Sequence, residues 1–198
     1  MIRKTTTFLA GVMLALSSLQ AGAVTVIGGY SFADNAFVDS LVGAGGSFSG
    51  NAPLISAVTD SNADTYAYGT VTGAYLDLAF NDNNLVNGAG ADLVLFELGD
   101  ADTIGLTIGG TTINYLPVST GTTTPSGFTL NAAAIDLSDF GITAGTQVNS
   151  FRLEMYLNGP DFSLAGALNT AVVPVPAAVW LFGSGLLGLA GVARRRKA

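Results

Sequence analysis

Three oxygen-bearing side chains alternate along one short stretch of the chain, at Asp60, Asn62 and Asp64. A loop that wraps a hard cation such as Ca²⁺ supplies ligands at this spacing. An EF-hand is excluded, because its sixth position would be Thr65 instead of Gly and its twelfth Val71 instead of Glu. Aspartate and asparagine are also favoured in turns for local reasons. The stretch therefore predicts either a calcium loop or a solvated Asx turn.

Two tyrosines, Tyr66 and Tyr68, follow this stretch directly. Carbohydrate sites combine aromatic faces with planar polar groups, so these rings and Asn62 could line a sugar site. Tyrosines also commonly pack on a sheet surface with the hydroxyl group in solvent. Both interpretations stay open from the sequence.

The remaining candidates for chemistry are carboxylates. Glu97, Asp100 and Asp102 form a second acidic group that could attract cations with low specificity. Hydrolysis of glycosides needs two carboxyl groups across a cleft, and the only other glutamate, Glu154, alternates with Arg152 like an ordinary surface neighbour. The absence of His and Cys excludes a Ser-His-Asp triad, a His/Cys zinc site and a disulfide framework. We expect no enzyme, with a carboxylate-dependent hydrolase as the most distant alternative.

Charge divides the 198 residues into three parts. Six of the seven basic residues lie near the two ends, whereas residues 24–171 hold one basic and fourteen acidic residues, a net charge of −13. Such a surface excludes nucleic-acid binding, which needs a basic face. The length allows one domain plus targeting segments. We therefore divide the chain into residues 1–23, 24–171 and 172–198.

Residues 1–23 have the order of a secretory signal peptide. Arg3 and Lys4 precede an apolar run over residues 8–19, and Ala21 and Ala23 supply small residues for a cleavage site. The run is too short to span a bilayer. We expect the secretion machinery to export the chain and signal peptidase to cut after Ala23; the alternative is a short buried helix.

Residues 172–198 combine a proline-containing linker, an uncharged stretch and a basic end. The uncharged stretch, 177–193, is near the lower length limit of a transmembrane helix. The basic residues that follow would hold the C-terminus on the cytoplasmic side. They are Arg194, Arg195, Arg196 and Lys197. The pattern predicts a membrane anchor at this end of the chain.

This segment resembles a PEP-CTERM sorting signal of the Val-Pro-x-Pro-Ala branch. The matching motif is Val173, Pro174, Val175, Pro176 and Ala177, before the apolar stretch and the basic stop. The resemblance implies a Gram-negative bacterium that makes exopolysaccharide, and an exosortase that cuts near the proline motif. Val175 stands where the eponymous motif has Glu, which leaves the exosortase variant open. The alternative is an ordinary anchor that is never processed.

The central region has a hydrophobic period of two, which is typical of half-buried antiparallel strands. Alternating apolar residues occupy 76–80, 104–108 and 151–157, and the continuous apolar run 93–96 predicts a central strand. Gly109-Gly110 suits a tight hairpin turn. Residues 130–140 could hold one helical turn around 132–134, or a bend at Asp136 and Asp139. We predict an all-β fold, an antiparallel β-sandwich of jelly-roll type.

A second resemblance concerns this central region. Residues 58–68, 76–80, 90–99 and 135–141 are similar to exported PEP-CTERM passenger domains of a galactose-binding-like jelly roll. That likeness implies a carbohydrate-associated or matrix role and permits calcium at the alternating Asp/Asn stretch. We therefore expect an exported, exosortase-processed protein of the cell envelope or exopolysaccharide matrix with a structural or adhesive role. The alternative is a calcium-stabilised carbohydrate-binding module.

Overall fold

Strands make up 52% of the residues that the computed structural model describes, which are 24–157 and 159–172. The predicted signal peptide, proline motif, apolar stretch and basic stop lie outside these described residues. No helix within the described ranges is long and apolar enough to cross a lipid bilayer.

Sixteen strands and one α-helix, α1 (Leu54–Thr59), form the described part of the chain. The strands are β1 (Val24–Ile27), β2 (Tyr30–Ala33), β3 (Ser40–Gly45), β4 (Phe48–Gly50), β5 (Ala67–Gly69), β6 (Ala74–Ala79), β7 (Asn83–Val86), β8 (Leu93–Leu98), β9 (Ile104–Ile108), β10 (Thr111–Tyr115), β11 (Val118–Thr123), β12 (Thr129–Ile135), β13 (Gln147–Val148), β14 (Ser150–Met155), β15 (Asp161–Ala167) and β16 (Thr170–Val172).

Two large sheets and two small ones contain these strands. The five-stranded sheet has the order β10-β9-β14-β6-β3, and the six-stranded sheet has the order β11-β12-β8-β15-β5-β4. β1 and β2 form a separate hairpin, and β13, β7 and β16 form a small sheet in that order. Every strand pair is antiparallel. The predicted all-β fold is thus confirmed at the level of class.

The alternation read from the sequence matches burial along the strands of the five-stranded sheet. Leu76 and Leu78 of β6 are fully buried, as are Ile104 and Leu106 of β9. In β14 the pattern ends at Met155, and the prediction that Leu157 continues it is wrong, because Leu157 is 50% exposed. The reason is a turn that begins one residue earlier, in which Gly159 N–H donates to the Tyr156 carbonyl.

The continuous apolar strand β8 is buried on both faces, as predicted. Leu95 belongs to a cluster that draws side chains from both large sheets, among them Leu153 of β14 and Phe162 of β15. Phe96, on the opposite face, packs in a second cluster with Phe32 of the first hairpin, at a ring-centroid distance of 6.0 Å. The hairpin of β1 and β2 therefore covers the outer face of the six-stranded sheet, and this cover explains why β8 does not alternate.

The predicted helical turn around residues 132–134 is wrong, because these alanines lie in β12. Ala132, Ala133 and Ala134 pair with consecutive residues of β8, and a fully paired central strand outweighs alanine's preference for helix. The alternative bend at Asp136 is correct. A short 3-10 helix spans Leu137–Phe140, and the Asp136 carboxylate accepts a bond from Ser138 N–H at 2.8 Å.

The predicted hairpin at Gly109-Gly110 is confirmed. The two glycines join β9 to β10 with φ of +59° and +85°. Positive φ at both central residues matches the right-handed twist of the flanking strands, and only glycine adopts it without strain.

Candidate functional site

Asp60, Asn62 and Asp64 lie in the loop after α1, and the side chains of Asp60 and Asn62 accept hydrogen bonds from within that loop. The Asp60 carboxylate accepts from Asn62 N–H at 3.0 Å and from the Thr65 hydroxyl at 2.8 Å. The Asn62 side-chain oxygen, Oδ1, accepts from Asp64 N–H at 3.1 Å. Successive Asx turns of this kind give the loop its shape. The loop therefore has the geometry of the Asx turn that the sequence offered as the alternative to a calcium loop. Calcium binding stays a prediction.

Asp64 ties the loop to the turn between β11 and β12. Its carboxylate accepts from the Ser126 hydroxyl at 2.6 Å and from Ser126 N–H at 3.1 Å. These bonds, with a further one from Thr124, stabilise the charged form and hold the pKa of Asp64 below its usual value. Within residues 24–157 and 159–172, no three acidic side chains converge in a way that could hold a metal ion.

The two predicted sugar-binding tyrosines are brought together. Tyr66 and Tyr68 are both half-buried, and their rings lie nearly parallel, at 19°, with centroids 6.4 Å apart. The edge of Phe128 packs against Tyr66 at 5.7 Å. Asn51 fixes the approach to β5, because its side-chain carbonyl accepts from Tyr66 N–H at 2.9 Å and its amide donates to the Asp64 carbonyl at 2.7 Å. Partial burial raises the pKa of Tyr66.

The predicted acidic group is only partly assembled. Asp100 is exposed, whereas Glu97 is completely buried in β8. One carboxyl oxygen of Glu97, Oε2, accepts from Asn131 Nδ2 at 2.9 Å, and Oε1 has no partner among the described residues. Burial, with the nearby charges of Asp102 and Asp161, raises the pKa of Glu97 to about 7. Glu97 is therefore a proton-binding group inside the domain, shielded from any solvent cleft.

Burial of Asp161 also raises its pKa, with Asp102 as the second cause. The sequence reasoning missed Asp161 and Asn131 as neighbours of Glu97. A signal for Glu97 itself was available, since it is the one charged residue within the apolar strand Leu93–Leu98. Its partners could not be read from the sequence, because they lie on β12 and β15, which flank β8 only in the folded sheet.

Arg152 contacts a different acid from its sequence neighbour Glu154. Its guanidinium makes a two-pronged contact with Asp77 on the adjacent strand, at 2.7 and 3.0 Å, and lies 3.9 Å from the centre of the Tyr75 ring. These hydrogen bonds join β14 to β6 and pair the positive charge of Arg152 with the carboxylate of Asp77. This pairing is structural and leaves no free cation between residues 24 and 172, where Arg152 is the only Arg or Lys.

A buried aspartate that the sequence analysis did not single out organises the loops at one end of the sheets. Asp92 accepts from Gly88 N–H at 2.7 Å, Leu137 N–H at 2.9 Å and Asn169 Nδ2 at 2.8 Å. Its side chain is fully buried. Three donors from separate segments thus satisfy one carboxylate, and its role is to join those segments.

Two surface clefts accompany these side chains. The smaller, of about 180 Å³, is bordered by the first hairpin, the loop of Asn62 and Asp64, and the turn at residues 122–125. The larger, of about 520 Å³, lies between β7, the β9–β10 turn and residues 142–150. We call the larger one the amide cleft. It is lined by Asn84, Ile108, Gly109, Ile142, Gln147, Val148, Asn149 and Ser150.

Comparison with known proteins adds no relative to this description. No family model matches the chain, and searches of curated proteins and of solved structures likewise gave no match.

Proposed function

We propose that this protein is exported, processed by an exosortase and retained in the cell envelope or exopolysaccharide matrix as a structural or adhesive component. The observation that carries the proposal is the order of features in residues 173–198: proline motif, uncharged stretch and basic stop. The described strands, β1 to β16, all precede the motif in the sequence. A cut near Pro174 would leave every described strand on the released part.

We further propose that the two large sheets face each other as a sandwich of jelly-roll type. The support is the cluster that takes inward side chains from both sheets, such as Leu76 and Leu106 from one and Leu93 and Leu95 from the other. Outward residues between them, such as Tyr75 and Asp77, are only half-buried. Such alternation on two facing sheets is the packing of a β-sandwich.

The charge of the central region suits a matrix component. Its net charge of −13 keeps copies apart in water, and divalent cations between neighbouring carboxylates would lower that repulsion. The single positive side chain is already paired with Asp77. Cation-assisted contacts with other acidic polymers are therefore the adhesive chemistry that this surface offers.

The mass of the mature C-terminus tests the proposal. The full chain is expressed in a Gram-negative host that has an exosortase, and the exported protein is analysed by mass spectrometry. We expect loss of the segment after the proline motif. The matched control replaces both Pro174 and Pro176 by Ala and should keep its tail. An exported wild-type protein that still ends at Ala198 would overturn the proposal and favour an unprocessed anchor.

A second candidate function is carbohydrate binding at Tyr66 and Tyr68. The observation that favours it is the nearly parallel pair of half-exposed rings beside the polar loop of Asn62 and Asp64. Binding on a glycan array should be lost in Tyr66→Ala and kept in Tyr156→Ala, which removes a ring that is 40% exposed. Equal binding by both variants would eliminate the tyrosine pair as the site.

Calcium at the loop of Asp60, Asn62 and Asp64 belongs to this second candidate. Bound calcium would raise the melting temperature of the wild type, and EDTA would reverse the rise. The matched variants are Asp60→Asn, which should lose the calcium response, and Asp100→Asn, which changes an exposed acid elsewhere and should keep it. An unchanged melting temperature of the wild type in EDTA would exclude calcium binding at this loop.

A further inference from the structure

The amide cleft is built by segments that are distant in sequence and meet at one end of the sheets. Asn84 comes from β7, Ile108 from the end of β9, Ile142 from the loop after the 3-10 helix, and Gln147 from β13. Its volume of about 520 Å³ lies in the range of ligand pockets, roughly 300–1,000 Å³. Ile108 is buried, whereas Gln147 and Asn149 are exposed, so the cleft has an apolar base and a polar rim.

All eight residues that line the amide cleft are uncharged. This is notable in a region whose net charge is −13. An anionic ligand would meet an acidic protein without a basic residue at the cleft to hold it. A cationic ligand would find its carboxylate partners elsewhere on the surface. The lining therefore favours a neutral ligand.

The hydrogen-bonding groups of the cleft are held in place and still have capacity. Asn84 Nδ2 donates to Gln147 Oε1 at 2.8 Å, which fixes the two amides against each other. This bond leaves the Gln147 NH₂ group and the side-chain oxygen of Asn84, Oδ1, without a partner among the described side chains. Asn149 accepts a long bond of 3.3 Å from the Ser150 hydroxyl and keeps its own NH₂ group. The rim thus offers both donors and acceptors.

We propose that the amide cleft binds a neutral saccharide segment. Sugar hydroxyl groups both donate and accept, as the planar amides of Asn84, Gln147 and Asn149 require. The C–H face of a sugar ring would pack on the half-buried Ile142 and Val148. A peptide is disfavoured, because β13 is only two residues long and offers almost no strand edge for pairing.

The assignment of a neutral saccharide to this cleft rests on the proposed matrix role and specifies the class of ligand that the protein would bind. It shares no lining residue with the pair of Tyr66 and Tyr68, so the two sugar sites can be tested separately. Processing by exosortase is tested by the mass of the C-terminus and does not depend on the cleft. A failure of saccharide binding would therefore refute the saccharide site in the amide cleft and would not bear on exosortase processing.

The experiment uses the full chain in a polyoxyethylene detergent, whose headgroup carries no sugar. Binding is measured by saturation-transfer NMR and calorimetry with cellopentaose, maltopentaose and mannopentaose as neutral probes and oligogalacturonate as an acidic probe. We expect at least one neutral probe to bind. Gln147→Ala and Asn149→Ala should each weaken binding by about tenfold, the effect of losing one well-placed hydrogen bond.

Two control variants accompany these measurements. Asn81→Ala removes an exposed amide outside the cleft, and Tyr156→Ala removes a partly exposed ring that does not line it; both should bind like the wild type. Because Gln147 and Asn149 are exposed, their variants should fold, which circular dichroism checks. The proposal is overturned if no neutral probe binds at millimolar concentration, if only oligogalacturonate binds, or if neither cleft variant weakens binding.

Discussion

The buried carboxyl of Glu97 makes the stability of the protein depend on pH in a defined window. Burial, Asp102 and Asp161 raise its pKa from 4.5 to about 7, and the only basic side chain within the described residues, Arg152, pairs with Asp77 instead. The folded protein therefore holds a proton that the unfolded chain has already released. Above pH 4.5 the contribution of Glu97 to the free energy of unfolding must fall, and above pH 7 this contribution levels off.

The size of the effect follows from the shift itself. Each pKa unit corresponds to 1.36 kcal/mol, so the raised pKa of Glu97 implies a loss of about 3 kcal/mol between pH 4.5 and pH 7. Glu97→Gln keeps the shape and an acceptor for Asn131 but cannot ionise. The variant should match the wild type near pH 4.5 and exceed its stability by about 3 kcal/mol near pH 8.

Urea unfolding followed by circular dichroism measures this difference across pH. Subtracting the wild-type curve from that of Glu97→Gln removes contributions from groups that do not interact with Glu97, such as Asp64 and Asp136, whose lowered pKa values act at lower pH. A control, Asp100→Asn, neutralises an exposed acid beside the same strand and should not change the slope. Parallel curves for wild type and Glu97→Gln from pH 4.5 to pH 8 would refute the reasoning.

Four substitutions test other parts of the fold by the same unfolding assay. Phe96→Ala should lower the free energy of unfolding by about 3–5 kcal/mol, because the ring is fully buried under the first hairpin. Val26→Ala, at a side chain 64% exposed, should lower it by less than about 0.5 kcal/mol. Similar losses in the two variants would contradict the burial of Phe96 by the hairpin. Asp92→Ala should lower the free energy of unfolding by about 3 kcal/mol or more, since it leaves three buried donors without an acceptor. A loss below about 1 kcal/mol would refute the role of Asp92 in joining these segments. Asp77→Asn should cost only about 0.5–1 kcal/mol, because its pair with Arg152 is partly exposed, and the loss should shrink in high salt.

The sequence predicted the strands best where one face of a strand is buried. The alternation of β6 and β9 follows from that environment, and the glycines at 109 and 110 predicted their turn because the turn needs positive φ at both positions. The prediction failed at residues 132–134, where three alanines suit a helix and only their pairing with β8 decides otherwise. It also did not foresee α1, whose six residues are too few to show a helical period.

The candidate sites were predictable only in part, for a related reason. Tyr68 lies in β5 and Tyr66 immediately precedes that strand, so their spacing of two residues could indicate from the sequence that both rings share one side. The same spacing of Asp60, Asn62 and Asp64 fits a cation loop and an Asx turn equally well, since both use the same oxygens. The amide cleft could not be found, because the topology alone brings β7 and β13 to the β9–β10 turn.

The neutral cleft and the acidic surface imply two kinds of adhesion that salt can separate. Hydrogen bonds between uncharged amides and a neutral sugar are not screened by ions, so binding of a neutral probe should be the same in low and high sodium chloride. Contacts that depend on carboxylates and divalent cations should weaken as sodium chloride rises, because the Debye length falls from about 10 Å at 0.1 M to about 3 Å at 1 M. Measuring the affinity for a neutral pentaose, and separately the calcium-dependent retention on oligogalacturonate, at both salt concentrations distinguishes the two. If both fall together with salt, the neutral cleft is not the saccharide site, and the charge of −13 governs all binding.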